Sequence, residues 1–219
     1  MALNTFAAFG LISASIQFWS AVWAPEDGIP YPWWAVLTVV AASLAFGLVR
    51  AWPRQQVRRE FGRPDIVVEV RVGDLFDQDG HLVVGFSDTF DTDIESNVII
   101  NAKSVQGQLL SRVYGGDRER LDAELKDVLT NEPVAIVEPP GAKRDGKTHR
   151  YPIGTVAVLG SPSRRIFAVA YSKMGNDLIA RSSVDHLWHS LNQVWESIYL
   201  HGQRERIAIP LIGAEFARI

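Results

Sequence analysis

The sequence predicts a layered α/β domain carried behind a transmembrane helical hairpin, and three observations point to it. Residues 1–49 hold no Lys or Arg, and all 22 basic residues lie from Arg50 onward. Two long uncharged runs fill that first part. From Asp65 the texture changes to short β-branched runs separated by amphipathic patterns and polar loops. The whole-chain averages, a net charge of −3 and 47% hydrophobic residues, describe neither part. With no cysteine there is no disulfide framework, no thiolate nucleophile and no Cys-based zinc site.

The first run, Asn4 to Ala24, and the second, Tyr31 to Val49, are each close to the ~20 apolar residues that cross a ~30 Å hydrocarbon core. Spans are expected over about 4–24 and 31–50, together filling residues 1–52. Between them "PEDGIP" supplies two prolines, a glycine and two acids, a turn between antiparallel helices. Trp19, Trp23, Trp33, Trp34 and Trp52 stand near the run ends, where an interfacial aromatic belt would lie. A basic juxtamembrane linker over residues 53–64 carries Arg54, Arg58, Arg59 and Arg63. The positive-inside rule then places both termini in the cytoplasm, giving a two-span inner-membrane protein. Met1 to Thr5 lack the positive charge of a signal peptide. Ala41/Ala45 and Ser43/Gly47 have the small-xxx-small spacing that permits close helix packing, and so a homo-oligomer.

Residues 65–219 form the second part. Strands are expected at Ile66–Val72, His81–Phe86, Asn97–Asn101, Pro133–Val137, Gly154–Leu159, Ile166–Tyr171 and Arg206–Ile212. Several are continuously apolar, as central strands covered on both faces are. Helices are expected at Gln106–Tyr114, Arg118–Leu129 and Ser183–His201. In the last, Val184, Leu187, Leu191, Val194 and Ile198 recur at three- and four-residue spacing. The polar stretch Glu138–Pro152 reads as a mobile insertion.

Four segments leave strands or open helices: "VGDLF" (72–76), "GFSDTFDTDI" (85–94), "NAKSVQGQLL" (101–110) and "PLIGAEF" (210–216). In open α/β sheets, ligands bind outside the carboxyl ends of strands, and helix N-termini there receive phosphates. Each segment alone is equally well a turn or a solvated loop. Together they suggest a nucleotide-type ligand cradled by backbone.

In order and spacing these segments resemble a macro domain. "VEVRVGDLF" matches that family's opening strand, and the long helix followed by "RIAIPLIG" matches its closing helix, strand and diphosphate loop. The fold this implies is a three-layer α/β/α sandwich with a mixed sheet. Where ordinary macro domains carry Asn-Ala-Ala-Asn and Gly-Gly-Gly, this chain has "VVGFSDTFDT" and "SVQGQLLSRVYGG". With the two-span prefix, that divergence resembles the Thoeris antiphage effectors. The resemblance implies a receptor for an ADP-ribose-derived signal made from NAD by a TIR-domain partner, here histidine-conjugated ADP-ribose. Membrane disruption or cell death would follow. Asp74 would meet the adenine amino group, with the Leu75 backbone beside it. Ser87, Thr89, Phe90, Asp91 and Thr92, with Ser104, Gln106, Gly107 and Gln108, would surround the distal ribose and its substituent. Gly213, Ala214, Glu215 and Phe216 would flank the diphosphate. The family continues beyond this loop with another helix and strand, so the domain is expected to lack its C-terminal end. The resemblance implies a sensor rather than an enzyme, with no cofactor; the alternative is a membrane-tethered ADP-ribosyl hydrolase, or a scaffold with a vestigial pocket.

Other chemistries find less in the residues. His186, His189 and His201 lack further metal ligands at suitable spacing. No serine stands in a Gly-x-Ser-x-Gly elbow. Asp91 and Asp93 could do acid–base work, but their neighbours suit hydroxyl contacts equally. Basic residues beyond Arg63 are scattered among acids, which argues against nucleic acid.

Overall fold

The computed structural model describes residues 6, 9–10, 12–17, 20, 32–51, 56–63 and 65–212. The chain divides into two units, Met1–Val72 and Gly73–Ile219.

The first unit holds helix α1, Pro32–Ala51, and helical residues at 6, 9–10, 12–17 and 20. Val39, Ser43 and Gly47 form a buried stripe at four-residue spacing on α1. Phe6 and Phe9 border a recess with Val40, Ser43 and Leu44. Among the described residues no helix is long and apolar enough to cross a membrane. The expected two-span hairpin is therefore not observed there. α1 spans 20 residues, about 30 Å of helix, and carries Thr38, Ser43 and Arg50 within it. Trp19, Trp23, Trp52 and the connecting turn lie outside the described residues.

Two strands complete this unit, β1 (Gln56–Gly62) and β2 (Asp65–Arg71), paired antiparallel. This corrects two expectations. The expected basic linker, residues 53–64, contains a strand, and Ile66–Val72 joins that strand rather than the main sheet. The register places Arg58 opposite Glu69 and Phe61 opposite Ile66, so cross-strand charge and apolar pairs both favour it. Every residue of both strands is exposed.

The second unit is a three-layer α/β/α sandwich. Its sheet has strands β3 (His81–Ser87), β6 (Val156–Ser161), β7 (Arg164–Met174), β8 (Ala180–Arg181) and β9 (Ile207–Ala208), in the order β6-β7-β3-β9 with β8 on the end of β7. β3 lies parallel to β7 and β9, whereas β6 and β8 run antiparallel to β7. Alternation assigns the faces. Leu82, Val84 and Phe86 of β3 and Ile166, Ala168 and Ala170 of β7 pack beneath helices α2 (Val105–Arg112) and α3 (Arg118–Leu129). Val83, Phe167 and Val169 face Val194 of helix α4 (Val184–His201) on the other side. Each of the three helices starts on a side-chain cap: Ser104 accepts from Gly107 N–H, Asp117 from Arg120 N–H and Ser183 from His186 N–H.

Buried His81 ties three elements together. Its Nδ1 accepts from the Arg165 N–H at 3.1 Å, so Nε2 carries the hydrogen and donates to the Gly202 carbonyl at 3.1 Å.

Three expected strands shrink. Residues 97–101 form no strand; a 3-10 turn occupies Glu95–Asn97. Asp93 and Asn97 side chains capture the N–H groups of Glu95 and Ala102, both at 2.7 Å, in place of a ladder. Pro133–Val137 reduces to β4, Ile136–Val137, paired with β5, His149–Arg150. Of Arg206–Ile212 only β9 pairs, and Pro210 follows without an N–H to donate.

Candidate functional site

The carboxyl ends of the parallel strands open onto a cleft of about 620 Å³, well within the size range of small-molecule sites. β3 contributes Gly85 and Ser87, and β7 contributes Tyr171 and Met174. The β7–β8 turn adds Leu178 and Ile179, and residues 210–212 follow from β9. The first turn of α2, Ser104 to Gln106, forms another wall.

A register shift between Phe86 and Ser87 leaves Tyr171 opposite no residue of β3, the signature of a bulge. Bulges re-aim side chains, and the Tyr171 ring lies against Gly85. A Cβ on Gly85 would stand 2.5 Å from that ring. Burial pushes the Tyr171 phenol up, so it remains a protonated donor at neutral pH. Lys103 is the one charged side chain lining the cleft among the described residues. The first-turn N–H groups of α2 add partial positive charge beside it. The electrostatic character thus favours an anion with hydroxyl or amide groups.

Of the residues expected at the site, Ser87, Ser104, Gln106 and Gln108 line this cleft. Ser104 Oγ donates to the Asn101 carbonyl at 2.6 Å, and Gln108 Nε2 to Lys103 O at 2.9 Å. Gln106 Nε2 donates to the Asp91 carbonyl at 2.5 Å, joining α2 to the segment after β3. Gly107 is buried where α2 meets the preceding turn; a Cβ there would lie 2.5 Å from the Asn101 carbonyl oxygen.

Thr89, Phe90, Asp91 and Thr92 stand behind the cleft wall, each at most 2% exposed. Phe90 stacks on Phe86 at 5.6 Å and meets Tyr151 edge-on. Thr92 donates to Asp122 at 2.7 Å. Asp74 is away from the described lining. It accepts from Phe76 N–H at 2.8 Å and pairs with Arg112, which also reaches Asp77 at 2.7 Å. The Arg112 guanidinium, then the Phe76 N–H, hold the Asp74 carboxyl below its usual range. Leu75 packs partly buried against the core. Gly213, Ala214, Glu215 and Phe216 lie outside the described residues.

Glu138–Pro152 is not a mobile insertion: two buried ion pairs anchor it behind the cleft. Lys143 Nζ meets Asp91 at 2.6 Å, with side chains 1% and 2% exposed. Lys147 N–H donates to the other Asp91 oxygen at 2.6 Å. Arg150 pairs with Asp88 at 3.0 Å and with Glu138 at 2.5 Å, and donates to Asn176 at 2.7 Å. Burial opposes the Arg150 charge, but the bonds to Glu138 and Asp88 more than offset it, and its pKa rises. Asp88 also accepts from the Met174 N–H at 2.8 Å. This network joins the exits of β3 and β7 to β5, so the cleft rim is braced.

Sequence reasoning passes over Tyr171, Met174, Leu178 and Ile179. One signal was available: Gly85 interrupts an otherwise continuous apolar strand, which marks a bulge or a close approach. Among the described residues no three His, Cys, Asp or Glu side chains gather to hold a metal.

The family model for the macro domain of Thoeris protein ThsA matches residues 68–219, more than half of the chain. No curated protein matches it.

Proposed function

Because the chain belongs to the macro-domain family of Thoeris protein ThsA, we propose that it is an antiphage effector whose cleft receives an ADP-ribose-derived nucleotide. The observation that carries this reading is the cleft outside the carboxyl ends of β3 and β7. Its lining pairs the α2 N-terminus and Lys103 with neutral hydroxyl and amide side chains. A phosphate-bearing ligand meets no opposing carboxylate among the described lining residues.

In this reading a TIR-domain partner makes the signal from NAD, and the signal is histidine-conjugated ADP-ribose. The chain senses it without turning it over and needs no cofactor. Its N-terminal unit anchors it in the inner membrane as two spans with both termini cytoplasmic. The support is the pair of uncharged runs, the arginines that follow them, and the exposed apolar side chains of α1, among them Leu37, Leu44 and Val49. Signal binding then leads to membrane disruption, with self-association through the exposed small residues Ala41 and Ala45 of α1.

The test is a thermal shift on the full-length chain with ADP-ribose, NAD and histidine-conjugated ADP-ribose, followed by chromatography of the recovered ligand. The conjugate should give the largest rise and return intact. A turned-over ligand would replace the sensor with a membrane-tethered ADP-ribosyl hydrolase.

A further inference from the structure

One chain of hydrogen bonds leads from the cleft to a buried ion pair, and its direction is fixed by chemistry. Ser87 Oγ stands 3.1 Å from Thr89 Oγ1. Thr89 donates to Asp91 Oδ2 at 2.5 Å. The same Asp91 oxygen accepts from Lys143 Nζ at 2.6 Å, and Oδ1 accepts from the Lys147 N–H at 2.6 Å. A carboxylate paired with an ammonium only accepts, so the single Thr89 hydrogen is committed to Asp91. Lys143 has three hydrogens and three oxygens before it: Asp91 Oδ2, the Lys147 carbonyl at 3.0 Å and Thr89 Oγ1 at 3.5 Å.

Thr89 Oγ1 therefore offers Ser87 only a lone pair. The contact is attractive in one arrangement alone, with Ser87 donating its hydrogen to Thr89. Ser87 is 6% exposed, Thr89 1% and Asp91 1%, so water does not compete for these bonds. Ser87 is the member of the chain that lines the cleft. Its remaining hydrogen-bonding capacity there is lone pairs.

We propose that Ser87 is a specificity-determining acceptor, selecting a ligand hydroxyl or N–H group and disfavouring a carbonyl or phosphate oxygen at the exit of β3. Thr89, Asp91 and Lys143 are positioning residues that act through Ser87. The polarity rests on the hydrogen-bond geometry alone; its use in selecting a nucleotide rests on the reading above.

Two measurements on the full-length chain decide it. In proton NMR without ligand, the Thr89 hydroxyl proton should exchange slowly, and the Ser87 hydroxyl proton should show a cross-peak to the Thr89 side chain. A Thr89 hydroxyl proton directed at Ser87 overturns the proposal. In calorimetry, ADP-ribose is compared with analogues in which one distal-ribose hydroxyl at a time is replaced by fluorine, which accepts weakly and cannot donate. One analogue should bind about fivefold to tenfold more weakly, the worth of one net hydrogen bond. Thr89→Val frees the Ser87 hydrogen and should shrink that penalty, while Thr89→Ser restores it. Ser87→Ala should remove the discrimination. Equal binding of all analogues to the unsubstituted chain overturns the proposal. Absence of any ADP-ribose binding sinks the nucleotide reading instead, and the NMR result still decides the polarity of Ser87.

Discussion

Gly85 and Tyr171 depend on each other. The ring fits only because residue 85 has no side chain, since a Cβ would sit 2.5 Å from it. Gly85→Ala should therefore destabilise the chain by about 1–3 kcal/mol through overpacking. Thermal denaturation checks this, and adding Tyr171→Ala should recover part of the loss by clearing the overlap. Lys143 gives a second test. Its side chain is 1% exposed against Asp91 at 2%, so Lys143→Met alone strands a buried carboxylate at a cost of about 3–5 kcal/mol. The double variant Asp91→Asn/Lys143→Met removes both charges and keeps an acceptor for the Lys147 N–H, and should return part of that stability in chemical denaturation. At this scale the sequence was partly legible. The segments after β3 and at the start of α2 could be singled out from their position at strand and helix ends, and the family resemblance named Ser87, Ser104, Gln106 and Gln108 within them. The bulge that turns Tyr171 inward depends on registration between strands far apart in sequence, which no local pattern carries.

Elements with a strong period or a cap emerged where expected. Arg118–Leu129 buries Leu121, Leu125 and Leu129 on one face, and Ser183 caps the closing helix. Elements whose identity rests on a partner did not. β-Propensity made a strand of residues 66–72 but could not assign its neighbour, and side-chain capture by Asp93 and Asn97 removed a strand from residues 97–101. The β7–β8 turn, which supplies Leu178 and Ile179 to the cleft, is stabilised by its own charges. Arg181, then the Ile179 N–H, lower the Asp177 carboxyl from 3.8 to about 2. A depressed carboxylate contributes stability above its unfolded value that is lost as pH falls through the folded one. The turn should thus hold from neutrality to about pH 4 and loosen toward about pH 2. An NMR titration of the Ile179 amide checks this, and Asp177→Asn should abolish the transition.

For the whole molecule, the division after Val72 separates two tasks under the proposed function. The cleft lies wholly within the second unit, whereas the uncharged runs belong to the first. Deleting residues 1–52 should abolish toxicity in cells while leaving nucleotide binding by calorimetry within about twofold, far less than the tenfold that 1.4 kcal/mol represents. Retained toxicity would point to chemistry in the cleft.

The buried pair behind the cleft also constrains how such chains diverge. Asp91 and Lys143 lie 52 positions apart yet meet in one buried ion pair, where either charge alone is costly. A lineage can exchange them together for two neutral residues, or keep both, but a chain with one of them passes through a poorly folding intermediate. The length of chain from Lys143 to Lys147 is similarly restricted, because Lys147 N–H must still reach the same carboxylate. Related sequences should therefore vary at these two positions in concert, and tolerate insertions outside the segment that joins Lys143 to Lys147 more readily than within it.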